Sequence, residues 1–286
     1  MALKLLAVVI VLAALAVAPQ WARYRRWTWY ESWLRQLDGS AGLSWVLLAV
    51  VAPTLLATII ALASGHVLFD LLWLVFAVLV LGLCINELEP DIEAVRQAPA
   101  AGRAAAARAL YVDAEDGLRL LDPANLAEAT VMAALRRRFG VLFWFFVLGP
   151  AGALLFRLAH RAWLATRHQK DADARRIAAR LAAALDWLPA HLMVLAMALA
   201  SNFDHVSQAW RAWHADPARS AWEFEPGFLA AIARASAEAE IDSDEEITDD
   251  DRDSLYVLEA TRRLLRRVLV LWLALVALLV LAGWVT

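Results

Sequence analysis

The alternation of charged and uncharged stretches is the feature that most constrains how this chain can fold. Uncharged runs of 16 to 21 residues are separated by loops that carry nearly all of the 27 basic and 30 acidic side chains. Because an α-helix rises 1.5 Å per residue, about 20 apolar residues cross a hydrocarbon core of roughly 30 Å. With 62% hydrophobic and only 20% charged residues, the composition also differs from that of soluble domains. The sequence excludes an ordinary soluble enzyme and predicts an all-α, polytopic membrane protein.

The apolar segments differ in how well they fit a membrane span. Residues 42–62 and 268–286 are uncharged throughout and predict two full spans. Lys4 is the only charged residue in residues 1–18, and Pro19 opposes cleavage of this segment as a signal peptide. We therefore expect a retained first helix.

Two further apolar runs, residues 139–156 and 181–203, are interrupted by glycines, prolines or an aspartate. If both crossed the membrane, loop 157–180, with seven basic and two acidic residues, would lie outside the cytoplasm and violate the positive-inside rule. We therefore predict that these runs form membrane-associated half-helices beside a helical cytoplasmic part. The alternative is a protein with six spans. The four predicted spans lie near residues 1–18, 42–62, 67–86 and 268–286.

The chain is predicted to have four parts. They are an N-terminal membrane region at 1–86, a helical cytoplasmic or membrane-embedded body at 87–237, an acidic linker at 238–253 and a C-terminal transmembrane helix at 254–286. Tryptophans and arginines alternate in residues 19–37, which predicts an interfacial helix with Trp27 and Trp33 toward lipid. A cation–π cage for a ligand is the alternative for this segment. The linker has ten acidic residues in sixteen, a composition typical of a mobile segment.

Acidic residues cluster where the third predicted span ends, at Glu87, Glu89, Asp91 and Glu93. Such a cluster binds a cation or a basic partner, or it forms a solvated helix end. The lone Cys84 and the spacing of the histidines give no zinc motif, so we expect no metal. Glycine-rich nucleotide motifs and serine-hydrolase elbows are missing from the sequence, so we expect no cofactor. We also expect no nucleic-acid partner.

One constellation stands out among the apolar segments. The dipeptide Phe143-Trp144 precedes the run GPAGALLFR, which ends at Arg157, and the run DWLPAHL follows about 30 residues later. Asp186 lies in an apolar segment and needs a cationic partner, which Arg180 or Arg157 could supply. His191 follows in the same motif. These four residues, together with the three glutamates, are the candidate ligand- or partner-binding residues.

The pattern of FW, GPAGALLFR and DWLPAHL resembles the AmpE family of inner-membrane proteins. It is also similar to the wider superfamily that includes the adenosylcobinamide-phosphate synthases. The synthase branch has a paired Asp where this chain has Ala182-Ala183, a proline where it has Val141, and an Asn where it has Asp186. Near the position where that branch has an Asp-Gly dipeptide, this chain has Arg138-Phe139.

These departures bear on the expected function. Paired carboxylates are natural metal ligands, and two alanines cannot replace them. The resemblance therefore implies a non-catalytic regulatory protein of the AmpE type in the bacterial inner membrane, linked to peptidoglycan recycling, β-lactamase induction and antibiotic resistance. Its expected partners are the lipid bilayer and a cell-wall-derived ligand or a protein. The alternative is a membrane-bound, amide-forming synthase related to adenosylcobinamide-phosphate synthase. A small transporter is disfavoured because no internal repeat is visible.

Overall fold

The computed structural model of this chain is helical throughout the part that it describes, and no strand occurs there. That part comprises residues 2–17, 27–37, 42–63, 67–85, 88–113, 121–167, 171–201, 203–215, 227–242 and 250–282. The α-helices are α1 Ala2–Val17, α2 Thr28–Gln36, α3 Gly42–Val46, α4 Ala52–Ala63, α5 Val67–Cys84, α6 Glu89–Gln97, α7 Ala100–Ala107, α8 Pro123–Ala134, α9 Gly140–Leu148, α10 Pro150–Thr166, α11 Ala172–Ala200, α12 Phe203–His214, α13 Gly227–Asp242 and α14 Asp250–Leu281. The described part also contains two π-helical turns and one 3₁₀ turn, which are Leu47–Val51, Leu135–Phe139 and Leu110–Asp113 respectively. The predicted all-α, polytopic membrane fold is confirmed.

Four helical segments of the described part are long and apolar enough to cross a membrane. They are Gly42–Ile60, Ala172–Ala200, Ser254–Leu281 and the stretch Trp73–Gln97, which comprises most of α5, all of α6 and the undescribed residues 86 and 87. The number agrees with the prediction, but the set differs. The apolar part of α1 is limited to Leu3–Leu15, whereas α11, which contains the predicted half-helix 181–203, is a single helix of 29 residues. Pro189 removes one backbone hydrogen bond without ending α11.

The described helices belong to two compact units, each assembled from separated segments. The first unit contains Met1–Asn86, Gly140–Leu185 and Leu279–Thr286, and the second contains Glu87–Phe139 and Asp186–Leu278. The predicted boundaries near residues 86, 237 and 253 stay a prediction. Helices α13 and α14 extend into the predicted acidic linker from both sides, and residues 243–249 lie outside the described part.

In the first unit, α10 packs against α4, α5 and α9. The turn between α9 and α10 requires Gly149, whose φ of +72° is in the left-handed region that favours glycine. Gly152 then allows the helices to approach closely, because a Cβ there would lie 2.2 Å from the carbonyl oxygen of Trp144. The glycines of GPAG therefore form the tight connection between α9 and α10.

The aromatic segment predicted to lie on the membrane surface is partly buried in the first unit. Trp27 is only 4% exposed, and the Arg161 guanidinium lies 4.5 Å from its ring centroid. The indole of Trp33 donates to the Leu48 carbonyl over 3.2 Å. The prediction that Trp27 faces lipid is wrong, because its ring packs against a cation of α10. Residues 19–26, the first part of the predicted interfacial helix, lie outside the described part.

The second unit has its own hydrophobic core, formed mainly by α8, the second half of α11, α13 and α14. Residues 126–134 of α8 are all buried, and α8 packs against α13. Ser254 lies within α14, and its hydroxyl donates to the Leu121 carbonyl over 2.5 Å.

Candidate functional site

Three consecutive arginines occupy the π-helical turn Leu135–Phe139, which follows α8 directly. A π-helical turn contains one residue more than an α-helical turn, and such turns are frequent at functional sites. Each arginine takes a different direction within the second unit. We call Arg136, Arg137 and Arg138 the arginine turn, and it organises the candidate site.

Arg136 forms a buried ion pair with Asp186 of α11. Its Nε donates to the Asp186 Oδ2 over 3.0 Å. The Asp186 side chain has no exposed surface, and that of Arg136 is 11% exposed. A charge in such a place is stable only beside its counter-charge, because removing one partner leaves the other desolvated. The need of Asp186 for a cationic partner was therefore predicted correctly.

The identity of that partner was not predicted. Arg180 and Arg157 were expected to supply it; Arg180 is exposed on α11, and the role predicted for Arg157 stays a prediction. Arg136 lies 50 residues before Asp186, a separation at which no helical spacing applies. A run of three arginines directly before an apolar segment is the signal that could have drawn attention to this residue.

Arg137 links the arginine turn to two other elements of the second unit. Its Nη1 donates to Asp91 Oδ2 of α6 over 2.5 Å, and its Nη2 donates to the Ala109 carbonyl over 2.5 Å. The side chain is 7% exposed. With both ends of its guanidinium bound to protein, Arg137 positions the turn and is poorly placed to bind a ligand.

Arg138 lines a small, shallow pocket that is partly open to solvent. Glu89 of α6 and two arginines of α14, Arg262 and Arg266, also line it. The Arg262 Nε donates to Glu89 Oε2 over 2.6 Å, and the Arg266 Nε donates to Glu89 Oε1 over 3.0 Å. Glu89 is thus the bridge between α6 and α14, which neither interpretation of the acidic cluster predicted.

The other predicted acidic residues are not part of this pocket. Glu93 accepts hydrogen bonds from Arg96 over 2.7 Å and from Gln97 over 2.6 Å, all on α6, as in a solvated helix end. Glu87 lies outside the described part. Among the described residues, no group of three or more His, Cys, Asp and Glu side chains is arranged to hold a metal ion.

His191 lies one turn after Asp186 on α11, in a cluster of aromatic rings. Its Nδ1–H donates to the Trp187 carbonyl over 2.7 Å, and its ring centroid lies 4.2 Å from that of Trp187. Phe228 of α13 and Trp210 of α12 pack against the same ring at 4.4 and 5.3 Å. These contacts connect α11, α12 and α13 through His191, whose predicted binding role stays a prediction.

Burial changes the protonation equilibria of two groups in the first unit. Desolvation, reinforced by the neighbouring charge of Arg157, lowers the pKa of Arg161 to about 10. Desolvation also raises the pKa of Tyr30, whose hydroxyl donates to the Leu158 carbonyl over 3.3 Å. Arg161 is the cation beside Trp27, and Glu31 Oε1 lies 3.9 Å from its Nη1. Both partners come from the protein itself, which favours packing over a ligand cage.

Comparisons with known proteins found a relative among the proteins of cobalamin biosynthesis. No family model matches the chain, and no solved structure matches it. The chain is 34% identical over 191 residues to the cobalamin biosynthesis protein CobD of Chromobacterium violaceum. The match covers 63% of this chain and 57% of that relative, which is less than two thirds of its length. It supports the expected relationship to the synthase superfamily and gives no support to the AmpE assignment.

Proposed function

We propose that this protein is a membrane-bound, amide-forming synthase of cobalamin biosynthesis, located in the inner membrane and related to the adenosylcobinamide-phosphate synthases. The observation that carries this proposal is the 34% identity to the cobalamin biosynthesis protein CobD. The polytopic, all-helical fold is compatible with it. The regulatory function expected from the AmpE resemblance lacks comparable support and becomes the second candidate.

The chemistry of such a synthase defines what the site must do. The amine of an aminopropanol phosphate attacks a carboxyl carbon of the corrinoid, and a nucleoside triphosphate must first activate that carboxylate. The products are one amide, one nucleoside diphosphate and one inorganic phosphate. Every co-substrate is anionic, so the site needs fixed cations that offset negative charge. Arg138 of the arginine turn and the two arginines of α14, which line the same pocket, are the residues of the second unit that suit this task.

One observation favours the second, non-catalytic candidate. Ala182 and Ala183 stand where the synthase branch has paired aspartates. These alanines cannot hold a metal ion. A chain of this kind could keep the scaffold and the ligand site while losing the reaction.

Complementation distinguishes the two candidates. A bacterium that lacks its adenosylcobinamide-phosphate synthase is supplied with this protein and tested for growth that depends on newly made cobalamin. The proposal predicts growth with the native chain and with Asp173→Asn, an exposed substitution on α11, and loss of growth with Asp186→Asn. Absence of growth with native protein present in the membrane contradicts the proposal. A changed β-lactamase induction in the native host on deletion of the gene would then support the regulatory candidate.

A further inference from the structure

We propose that the indole of Trp144 replaces the backbone donor that Pro189 lacks in α11. In an α-helix each N–H donates to the carbonyl four residues earlier, and proline has no N–H. Pro189 lies inside α11, so the carbonyl of Leu185 does not receive its helical hydrogen bond. The Trp144 Nε1–H donates to this carbonyl oxygen over 3.0 Å. A side chain of α9 therefore binds the acceptor that the proline leaves open.

The surroundings of the Leu185 carbonyl explain why a donor from another helix is needed. Leu185 is only 8% exposed, and it lies in Ala172–Ala200, a helix long and apolar enough to cross a membrane. Water is scarce in such a place, so neighbouring helices supply the hydrogen bonds that a proline removes. An open carbonyl that is buried costs more free energy than the hydrogen bond itself contributes. The indole of Trp144 avoids this cost.

Two neighbours fix Trp144 in the position from which it donates. Gly152 of α10 lies directly against its backbone, because a Cβ there would be 2.2 Å from the Trp144 carbonyl oxygen. The ring of Phe143 packs edge-on against the indole, with centroids 5.2 Å apart and an interplanar angle of 84°. Helix α9 thus contacts α10 through the Trp144 backbone and α11 through the Trp144 side chain.

These contacts join three motifs of the sequence. The dipeptide Phe143-Trp144 supplies the donor, the GPAG run supplies Gly152, and the DWLPAHL run supplies Pro189. Leu185 directly precedes Asp186, the acidic member of the buried ion pair with the arginine turn. Trp144 is therefore a positioning residue, since it holds the backbone turn that carries the Asp186 side chain.

A double-mutant cycle in the purified full chain tests this inference, and its result does not depend on the proposed synthase activity. Trp144→Phe removes the N–H together with part of the ring, and Pro189→Ala returns a backbone N–H to the Leu185 carbonyl. The equilibrium constant for unfolding is measured with sodium dodecyl sulfate in mixed micelles and followed by helical circular dichroism. Trp144→Phe should raise this constant about tenfold more in the native chain than in the Pro189→Ala background. The loss of ring packing is common to both backgrounds and cancels in this comparison.

Trp29→Phe is the matched control, because it is the same substitution at a residue of α2 that is 46% exposed. It should change the unfolding constant by the same factor in both backgrounds. Rescue by Pro189→Ala is the result that a purely space-filling role of Trp144 would not produce. If Trp144→Phe alone does not accumulate as folded protein, the inference requires that the double variant does. Equal factors for Trp144→Phe in the two backgrounds, an equal rescue of Trp29→Phe, or failure of either protein that carries Pro189→Ala to fold overturns the inference.

Discussion

Replacement of Asp186 by asparagine tests whether the buried ion pair with Arg136 stabilises the second unit. The substitution keeps the shape of the side chain and removes its charge, so the ion pair between Asp186 and Arg136 is lost. Breaking a buried pair by removing one member costs about 3–5 kcal/mol. Because 11% of the Arg136 side chain still reaches the surface, we expect the lower end, about 3 kcal/mol.

The expected size of the effect is large enough to measure. A loss of about 3 kcal/mol changes the unfolding equilibrium more than a hundredfold. For a chain of this size it corresponds to a melting temperature lower by about 6–12 °C. The assay is thermal unfolding of the purified protein in detergent, followed by the loss of helical circular dichroism.

Asp173→Asn is the matched control, because it is the same substitution on the same helix. Asp173 pairs with Arg176, and their side chains are 68% and 61% exposed. Exposed pairs contribute little, so this variant should melt as the native protein does. The double variant Arg136→Gln/Asp186→Asn should lose less stability than the two single losses added together, since neither charge is then left alone.

The same variant separates a structural role of Asp186 from a functional one. A purely structural residue should lose stability and function together, whereas a ligand-binding residue should lose function at an unchanged melting temperature. A variant that melts at the native temperature refutes the argument from the buried pair. If it also functions normally, Asp186 is not part of the site.

Three further predictions concern the packing, the pH dependence and the topology. Gly140→Ala and Gly152→Ala should each prevent accumulation of folded protein. The added Cβ would lie 2.1 Å from the Phe156 ring at position 140 and 2.2 Å from the Trp144 carbonyl oxygen at position 152. Gly82→Ala is the control, because a Cβ at this position meets no neighbouring atom within 4 Å, and this variant should give a normal size-exclusion profile in detergent. Hydrogen bonds from the backbone N–H groups of Gly42 and Ala174 hold the pKa of Asp171 below its ordinary value of 3.8. The stability that the ionised Asp171 contributes to the fold is therefore complete above pH 3.8 and is lost as the pH falls through the lower pKa of the folded state. The difference in melting temperature between native protein and Asp171→Ala should therefore be constant near neutral pH and shrink below about pH 4, and a difference independent of pH would contradict this. With Cys84 replaced, single cysteines at positions 168 and 205 should be labelled from opposite sides of the membrane, because the helix Ala172–Ala200 separates them; labelling of both from one side would exclude this span.

Features that depend on local spacing were predictable from the sequence. Uncharged runs reveal helices such as Ser254–Leu281, because length and hydropathy alone decide whether a helix can cross a bilayer. The demand of Asp186 for a cation was equally clear, because burying an unpaired carboxylate in an apolar helix is too costly.

Features that depend on long-range contacts were not predictable. Arg136 meets Asp186 across 50 residues, and Arg262 meets Glu89 across 173, so no helical periodicity connects either pair. The half-helix prediction for residues 181–203 gave too much weight to Pro189, since surrounding helices can compensate for one lost hydrogen bond. Trp27 was expected to face lipid because aromatic and basic residues alternate, but the decisive contact is with Arg161 of α10.

Formation of the amide by the purified protein is the most direct test of the proposed function. The full chain in lipid nanodiscs is incubated with a corrinoid carboxylate, an aminopropanol phosphate, a nucleoside triphosphate and Mg²⁺, and the products are analysed by mass spectrometry. The account predicts a product whose mass is the sum of the carboxylic acid and the amine minus one water, absent without the nucleotide and reduced in Asp186→Asn. Absence of this product with protein that is folded and carries the native melting temperature would contradict the synthase assignment.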